Sequence, residues 1–254
     1  WDALRRTTPQ EKLRELVDAA WHGRVADVTR LLSPFTCTVR EHVNATAPPH
    51  DGRRLTALAA ASSRGHADVV TLLLAAGADV DWARAHDGAT PLIFACQNGH
   101  TDVVTLLLAA NADVDPVINT GPTPMIAACQ SGHLDIVQLL SSYGARRAWQ
   151  NAPNAVEGIA THFGHDEIAA WLVRSRDWST ALHHLEVLTP ARALELLLAG
   201  TDVDAAAQPG GPTPRSRARE LCSTGAAAPG SAAHIVLEWA DPWTRPTPTR
   251  AGTH

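Results

Sequence analysis

The sequence predicts an all-α solenoid of about seven stacked helix-turn-helix units with atypical units at both ends, and three observations predict it. Four Gly-His pairs, Gly65-His66, Gly99-His100, Gly132-His133 and Gly164-His165, recur at spacings of 34, 33 and 32 residues. A Thr-led run of small residues comes before the first three: TALAAASSRGH from Thr56, TPLIFACQNGH from Thr90 and TPMIAACQSGH from Thr123. An apolar segment comes after them: ADVVTLLLAAGADVD, TDVVTLLLAANADVD and LDIVQLLSSYGA. A repeat of this length marks one supersecondary unit that cannot bury its own apolar face and must stack on neighbours. Such a chain builds a surface, not a pocket.

The residue types within a unit agree. Thr ahead of Pro, at 90–91 and 123–124, suits an N-cap followed by a first-turn Pro whose missing N–H would be unpaired there anyway. Gly65, Gly99, Gly132 and Gly164 suit the left-handed residue that ends an inner helix. Asp68, Asp102, Asp135 and Glu167 fall in the first turn of each outer helix, where negative charge meets the positive end of the dipole. The leucine runs Leu72–Leu74, Leu106–Leu108 and Leu196–Leu198 are expected to face the core between layers.

Along the chain, Thr8-Pro9-Gln10-Glu11 reads as a capping box opening a helix to about Ala20. Gly23 takes the inter-helix place, and Val28 to Leu32 supplies a second helix. From Gly23 to Gly65 is 42 residues, about nine more than one repeat. Ser33 to Arg54 therefore reads as an enlarged loop, an insertion of the kind that often carries function. Residues 1–54 are read as capping helices plus this loop, 55–147 as near-consensus repeats and 148–206 as divergent ones. The fifth unit, NAVEGIATHFGHDEIAAWL, lacks Thr-Pro and carries Gly158 inside its inner helix, where a shift of register is expected. In the sixth, Thr189-Pro190 stands where Gly-His belongs, keeping the joint by a cap and a first-turn Pro. Residues 207–240 read as a C-terminal capping unit, because Arg215, Arg217 and Arg219 take positions that are apolar elsewhere. The Pro/Thr-rich tail 241–254 is expected to be disordered.

This grammar strongly resembles the ankyrin repeat, with its T-P-L-H-x-A turn-helix, its Gly-His between two helices and its period of about 33 residues. Thr90-Pro91-Leu92 and Thr123-Pro124-Met125 match closely. Thr56-Ala57-Leu58 and Thr180-Ala181-Leu182-His183 match with Ala in place of Pro. The resemblance covers roughly residues 11 to 240 and is most specific between 55 and 145. It implies an ankyrin-repeat solenoid with finger-like β-turns along one edge and a protein-binding role, and it names no partner.

Composition excludes some alternatives. A net charge of -5 argues against nucleic acid or an anionic membrane as the main partner. No apolar run approaches the roughly 18 residues of a membrane span. The chain opens at Trp1 and not at a methionine, which fits a piece of a longer protein. Cys96 and Cys129 each lie six residues after a turn Thr, so they fall on adjacent inner helices, farther apart than the Cα separation of about 7 Å that a disulfide tolerates. With Cys37 and Cys222 remote in sequence, free thiols and a reducing compartment follow, the cytosol first and the nucleus second.

No motif in the chain reads as catalytic. There is no H-E-x-x-H, no phosphate-binding G-x-x-x-x-G-K-[ST] and no G-x-S-x-G. Histidines in neighbouring repeats are set by helices roughly 8–10 Å apart. Ligands of one zinc, held at about 2.0–2.1 Å, must lie nearly in contact. The histidine ladder therefore reads as hydrogen bonding at the inter-helix turns, with no metal site and no cofactor. His183, in His183-His184-Leu185-Glu186, falls on the family's TPLH histidine, which by resemblance braces the turn.

By resemblance, the binding positions lie four, seven and eight residues after the turn Thr, on a concave inner face. These are Ala60, Ser63 and Arg64, then Phe94, Gln97 and Asn98, then Ala127, Gln130 and Ser131. Trp21 and His22 take the last two places in the first unit. The fingers add Trp82, Arg84 and His86, then Ile118 and Asn119, then Arg147, Trp149 and Gln150. Trp21, Trp82 and Trp149 thus fall on the expected binding side, and interface hot spots favour Trp, Tyr and Arg. Trp171 falls on the first leucine position of its outer helix and reads as core. The expected function is a monomeric, non-catalytic module that binds a protein partner. Two alternatives stay open: the targeting segment of a larger enzyme or ubiquitin-ligase adaptor, and a structural, self-associating repeat protein.

Overall fold

The inner helices of the first four repeats each start where a threonine can cap them. The Oγ1 atoms of Thr56, Thr90 and Thr123 accept the N–H groups of Ala59, Ile93 and Ile126 at 3.2, 3.4 and 3.3 Å. Pro91 and Pro124 occupy the first turns that follow. At the first helix the reciprocal capping box forms: Glu11 N–H donates to Thr8 Oγ1 at 3.3 Å, and Thr8 N–H donates to Glu11 Oε2 at 2.8 Å. Thr189 and Thr213 cap their helices in the same way, ahead of Pro190 and Pro214.

The computed structural model describes residues 8–33, 43–47, 54–85, 87–116, 121–147, 155–176, 181–206 and 211–240. Among them are thirteen α-helices: α1 Pro9–Trp21, α2 Val25–Leu32, α3 Ala57–Arg64, α4 Ala67–Ala75, α5 Pro91–Asn98, α6 Thr101–Ala109, α7 Pro124–Ser131, α8 Leu134–Ser142, α9 Ala155–His162, α10 Asp166–Arg174, α11 Pro190–Leu198, α12 Pro214–Ser223 and α13 Ala232–Ala240. The described residues hold no strand; a single antiparallel bridge joins Ala47 to Leu55. The chain forms two units, one of residues 1–140 and 145–169, the other of 141–144 and 170–254.

In the first unit α1, α3, α5, α7 and α9 stack as an inner layer, while α2, α4 and α6 stack as an outer one. Val69, Val70 and Leu73 of α4 are sealed between the layers, as are Val103, Val104 and Leu107 of α6. The leucine runs do not face the core as wholes. Leu73, Leu107 and Leu197 are buried, but Leu72, Leu74 and Leu106 are partly exposed and Leu198 is 67% exposed. Three consecutive helical residues point in directions about 100° apart, so one face cannot receive all three.

The Gly-His pair locks one repeat to the next. A Cβ added to Gly65 would stand 2.5 Å from Nδ1 of His100, one repeat on, and a Cβ on Gly99 would stand 2.5 Å from Cε1 of His133. The same ring-on-glycine contact joins His66 to Gly23 and His165 to Gly132. The Nε2–H groups of His66, His100 and His165 donate to the carbonyls of Trp21, Ser63 and Gln130 at 3.1, 3.2 and 3.1 Å. A carbonyl can only accept, so each bond fixes the proton on Nε2.

Two sequence expectations change. At Gly158 the register does not shift: His165 N–H reaches back to Ala160 O, as His133 N–H does to Ala128 O and His100 N–H to Ala95 O. Gly158 is exposed on α9, where a missing side chain removes no packing. In the sixth unit the described inner element is a 3₁₀ turn, Ala181–His183, and not an α-helix. His183 still braces, donating from Nε2 to Pro212 O at 3.0 Å. In this second unit Leu182, Leu185, Leu188, Leu197, Leu221 and Val236 form the core. Trp171 is buried, although Leu72 and Leu106 at the same place in their outer helices are partly exposed.

Candidate protein-binding surface

Three consecutive inner helices, α3, α5 and α7, share one burial pattern. Ala57–Ser62 of α3, Pro91–Cys96 of α5 and Pro124–Cys129 of α7 are all buried. Only the last two residues of each helix open to solvent: Ser63 and Arg64, Gln97 and Asn98, Gln130 and Ser131. The cause is the stacking, since each of these helices touches an inner helix on either side. In α1 the equivalent pair is Trp21, partly exposed, and His22, exposed. The accessible side chains thus line up as an aromatic and a cation at the first two repeats, then neutral amides and hydroxyls. The guanidinium of Arg64 lies over the Trp21 ring, 4.4 Å from its centroid, a cation–π contact between neighbouring repeats.

The positions four residues after the turn Thr are not part of this row. Ala60, Phe94 and Ala127 are 0%, 6% and 1% exposed, because they fall inside the enclosed six-residue stretch. Phe94 is roofed by the finger: the Arg84 guanidinium sits 4.9 Å from its ring centroid. Arg84 is itself engaged, since its Nε–H donates to Asp87 Oδ1 at 2.9 Å and its N–H to Ala89 O at 3.0 Å. With Asp87 Oδ1 also accepting Ala89 N–H at 3.1 Å, Arg84 closes the finger upon its own repeat. Trp82 is partly exposed at the finger base. His86, Ile118, Asn119, Trp149 and Gln150 lie outside the described residues, as does Cys37.

A ladder of side-chain acceptors at the finger bases escaped the sequence reading. Asn44 Oδ1 accepts Asp79 N–H at 2.7 Å, Asp81 Oδ1 accepts Asp113 N–H at 2.8 Å, and Asp115 accepts Arg146 N–H at 3.1 and 3.0 Å. Within each finger the first Asp also accepts from the second, at 3.1 Å in Asp79–Asp81 and 3.0 Å in Asp113–Asp115. The signal was present as the repeated Ala-Asp-Val-Asp. Asn44 shows that the described end of the enlarged loop does a finger's work: Val43 and Ala47 are buried, and Ala47 pairs with Leu55.

Electrostatics marks the same edge. Burial raises the Asp115 carboxyl above its ordinary range, opposed by the backbone N–H and charge of Arg146 and reinforced by Asp113. Burial lowers Arg147, while Glu157, itself 7% exposed, and Cys129 act the other way. Cys96 and Cys129 are free and buried. Burial pushes the Cys129 thiol up to about 12, with Arg147 opposing, and raises Cys96 further. Among the described residues no three His, Cys, Asp or Glu side chains gather as a metal site would require, and no helix is long and apolar enough to cross a membrane.

A family model for ankyrin repeats, in three copies, matches residues 16–118 and 57–151, together more than half of the chain. No curated protein matches it.

Proposed function

Because this chain belongs to the ankyrin-repeat family, whose members are generally protein–protein interaction modules, we propose that it is a non-catalytic binder acting as a monomer in a reducing compartment, the cytosol or nucleus. One observation carries the reading. In α3, α5 and α7 every position is enclosed except the last two, so these pairs, with Trp21 at the equivalent place of the first repeat, form the row Trp21, Arg64, Gln97, Asn98, Gln130 and Ser131 that the stack offers to a partner. Amides and hydroxyls in a row suit the N–H and C=O groups of a peptide segment, and the Trp21–Arg64 pair supplies the type of anchor that dominates interfaces. Trp82 and the finger residues His86, Ile118, Asn119, Trp149 and Gln150 extend the contact along the edge. A net charge of -5 directs the reading away from nucleic acid.

The test uses a partner captured by the intact chain and identified by mass spectrometry. Arg64→Ala with Asn98→Ala should weaken that partner's binding at least about tenfold while circular dichroism stays unchanged. A folded double variant that binds as the parent does would move the site off this row.

A further inference from the structure

The second unit carries a thiol–imidazole pair at the edge of its core. Cys222 sits in the last turn of α12 and His234 in the first turn of α13, with Sγ 3.6 Å from Nδ1. Ser231 Oγ lies 3.3 Å from the same nitrogen. Nδ1 thus lies within reach of an S–H and an O–H, either of which can donate to it when that nitrogen carries no proton. The ladder histidines are used the other way round, with Nε2 donating to a carbonyl. Cys222 is also partly exposed, whereas Cys96 and Cys129 are buried. Ser231, whose hydroxyl reaches His234 Nδ1, also lines a groove of about 560 Å³ with Leu185, Leu188 and Leu221.

We propose that Cys222 is a reactive thiol, with His234 as its proton acceptor, that forms a reversible mixed disulfide with a soluble low-molecular-weight disulfide of the glutathione class. Nδ1 of His234 takes the thiol proton, and the Cys222 sulfur attacks one sulfur of the soluble disulfide. The new S–S bond forms as the old one breaks. The departing thiolate takes the proton from the imidazolium and leaves as a thiol. Cys222 is oxidised, the departing half is reduced, and no further oxidant takes part. Excess small thiol drives the same steps backwards.

The experiment exposes the folded full chain to oxidised glutathione at neutral pH and follows each cysteine-containing peptide by mass spectrometry. Cys222 should gain the adduct while Cys96 and Cys129 do not, and dithiothreitol should remove it. In the folded chain Cys222 should react at least about threefold faster than in the same chain unfolded in urea, because only the fold brings His234 to it. His234→Gln should slow Cys222 at least about tenfold, a threshold set below the roughly hundredfold that a positioned base contributes at the low end, and should have no effect in urea. A Cys222 that reacts more slowly folded than unfolded overturns the proposal, whether or not the variant folds. An unchanged rate in a folded His234→Gln chain, with Cys96 and Cys129 still protected, overturns it as well.

Discussion

Replacing Gly65 with Ala tests whether the Gly-His pair is a lock between repeats or only a helix terminator. Gly65 has φ +76°, and a Cβ there would meet Nδ1 of His100 at 2.5 Å and even its Cγ at 2.9 Å. Rotating the ring cannot clear a contact that includes its root atom. Gly77 is the matched control, with φ +86° and nothing within 4 Å of an added Cβ. Left-handed strain, about 1–2 kcal/mol for a residue with a Cβ, is common to both variants. Gly65→Ala adds an overpacking cost of about 1–3 kcal/mol and the loss of the His100–Ser63 bond, worth about 0.5–1.5 kcal/mol. It should therefore exceed Gly77→Ala by about 1.5–4.5 kcal/mol. In a His100→Ala background the excess should vanish, because the obstructing ring is gone. Hydrogen exchange of peptides from α3 to α6 suits the measurement, since repeat arrays open locally and need not unfold in two states. Equal losses of protection in Gly65→Ala and Gly77→Ala, or an excess that survives His100→Ala, would refute the interlock.

Leu107 is fully enclosed in α6, so Leu107→Ala should cost about 2–5 kcal/mol, read as a lower urea midpoint; a loss below 1 kcal/mol would place it at the surface. Phe94→Ala should cost about 3–5 kcal/mol of stability and reduce helical content, unlike Arg64→Ala or Asn98→Ala; retention of full stability would return Phe94 to the binding row. The buried thiols set an alkaline limit. Burial favours their protonated forms in the folded chain, so their contribution is complete below the unfolded value of about 8.5. It is lost as pH rises towards about 12, the value for Cys129. The urea midpoint should fall across that window, and less steeply in Cys129→Ala; a parent midpoint that stays level would contradict the burial. In the same experiments Cys96 and Cys129 should resist alkylation until the chain unfolds, whereas native labelling would mean that they are not enclosed.

What the sequence makes legible is whatever repeats with a local cause. A cap needs only a hydroxyl two or three residues before an N–H, so Thr56, Thr90 and Thr123 announce their helices. The same holds where the repeat is damaged: Thr189-Pro190 opens α11 although Gly-His is gone. Register through the fifth unit was harder, because Gly158 costs helix propensity wherever it lies, and only its exposure on α9 reveals that nothing packs there. The sixth unit's missing inner helix has no local cause in its first residues, since Leu182 and His183 occupy their expected places; only a 3₁₀ turn forms before His184 and Leu185 enter the core.

The candidate surface was less legible because exposure is a property of the stack. Phe94 and Gln97 are three residues apart on one helix, yet one lies under Arg84 and the other is in solvent. No propensity separates them; what does is the finger that leads into their own repeat, whose Asp87 aims Arg84 at the ring. The aspartate ladder has the same character. Asp79 and Asp81 look interchangeable in sequence, but one turns back on its own finger and the other reaches the next. Side chains that link repeats are thereby withdrawn from any partner, and this sorts the edge into two classes. Arg84 is committed to its own repeat and the ladder carboxylates to the next, while the last two residues of the inner helices α3, α5 and α7 make few side-chain links beyond the Trp21–Arg64 contact. Substitutions at those paired positions should therefore have little effect on the stack, whereas a change at a ladder carboxylate alters two repeats at once.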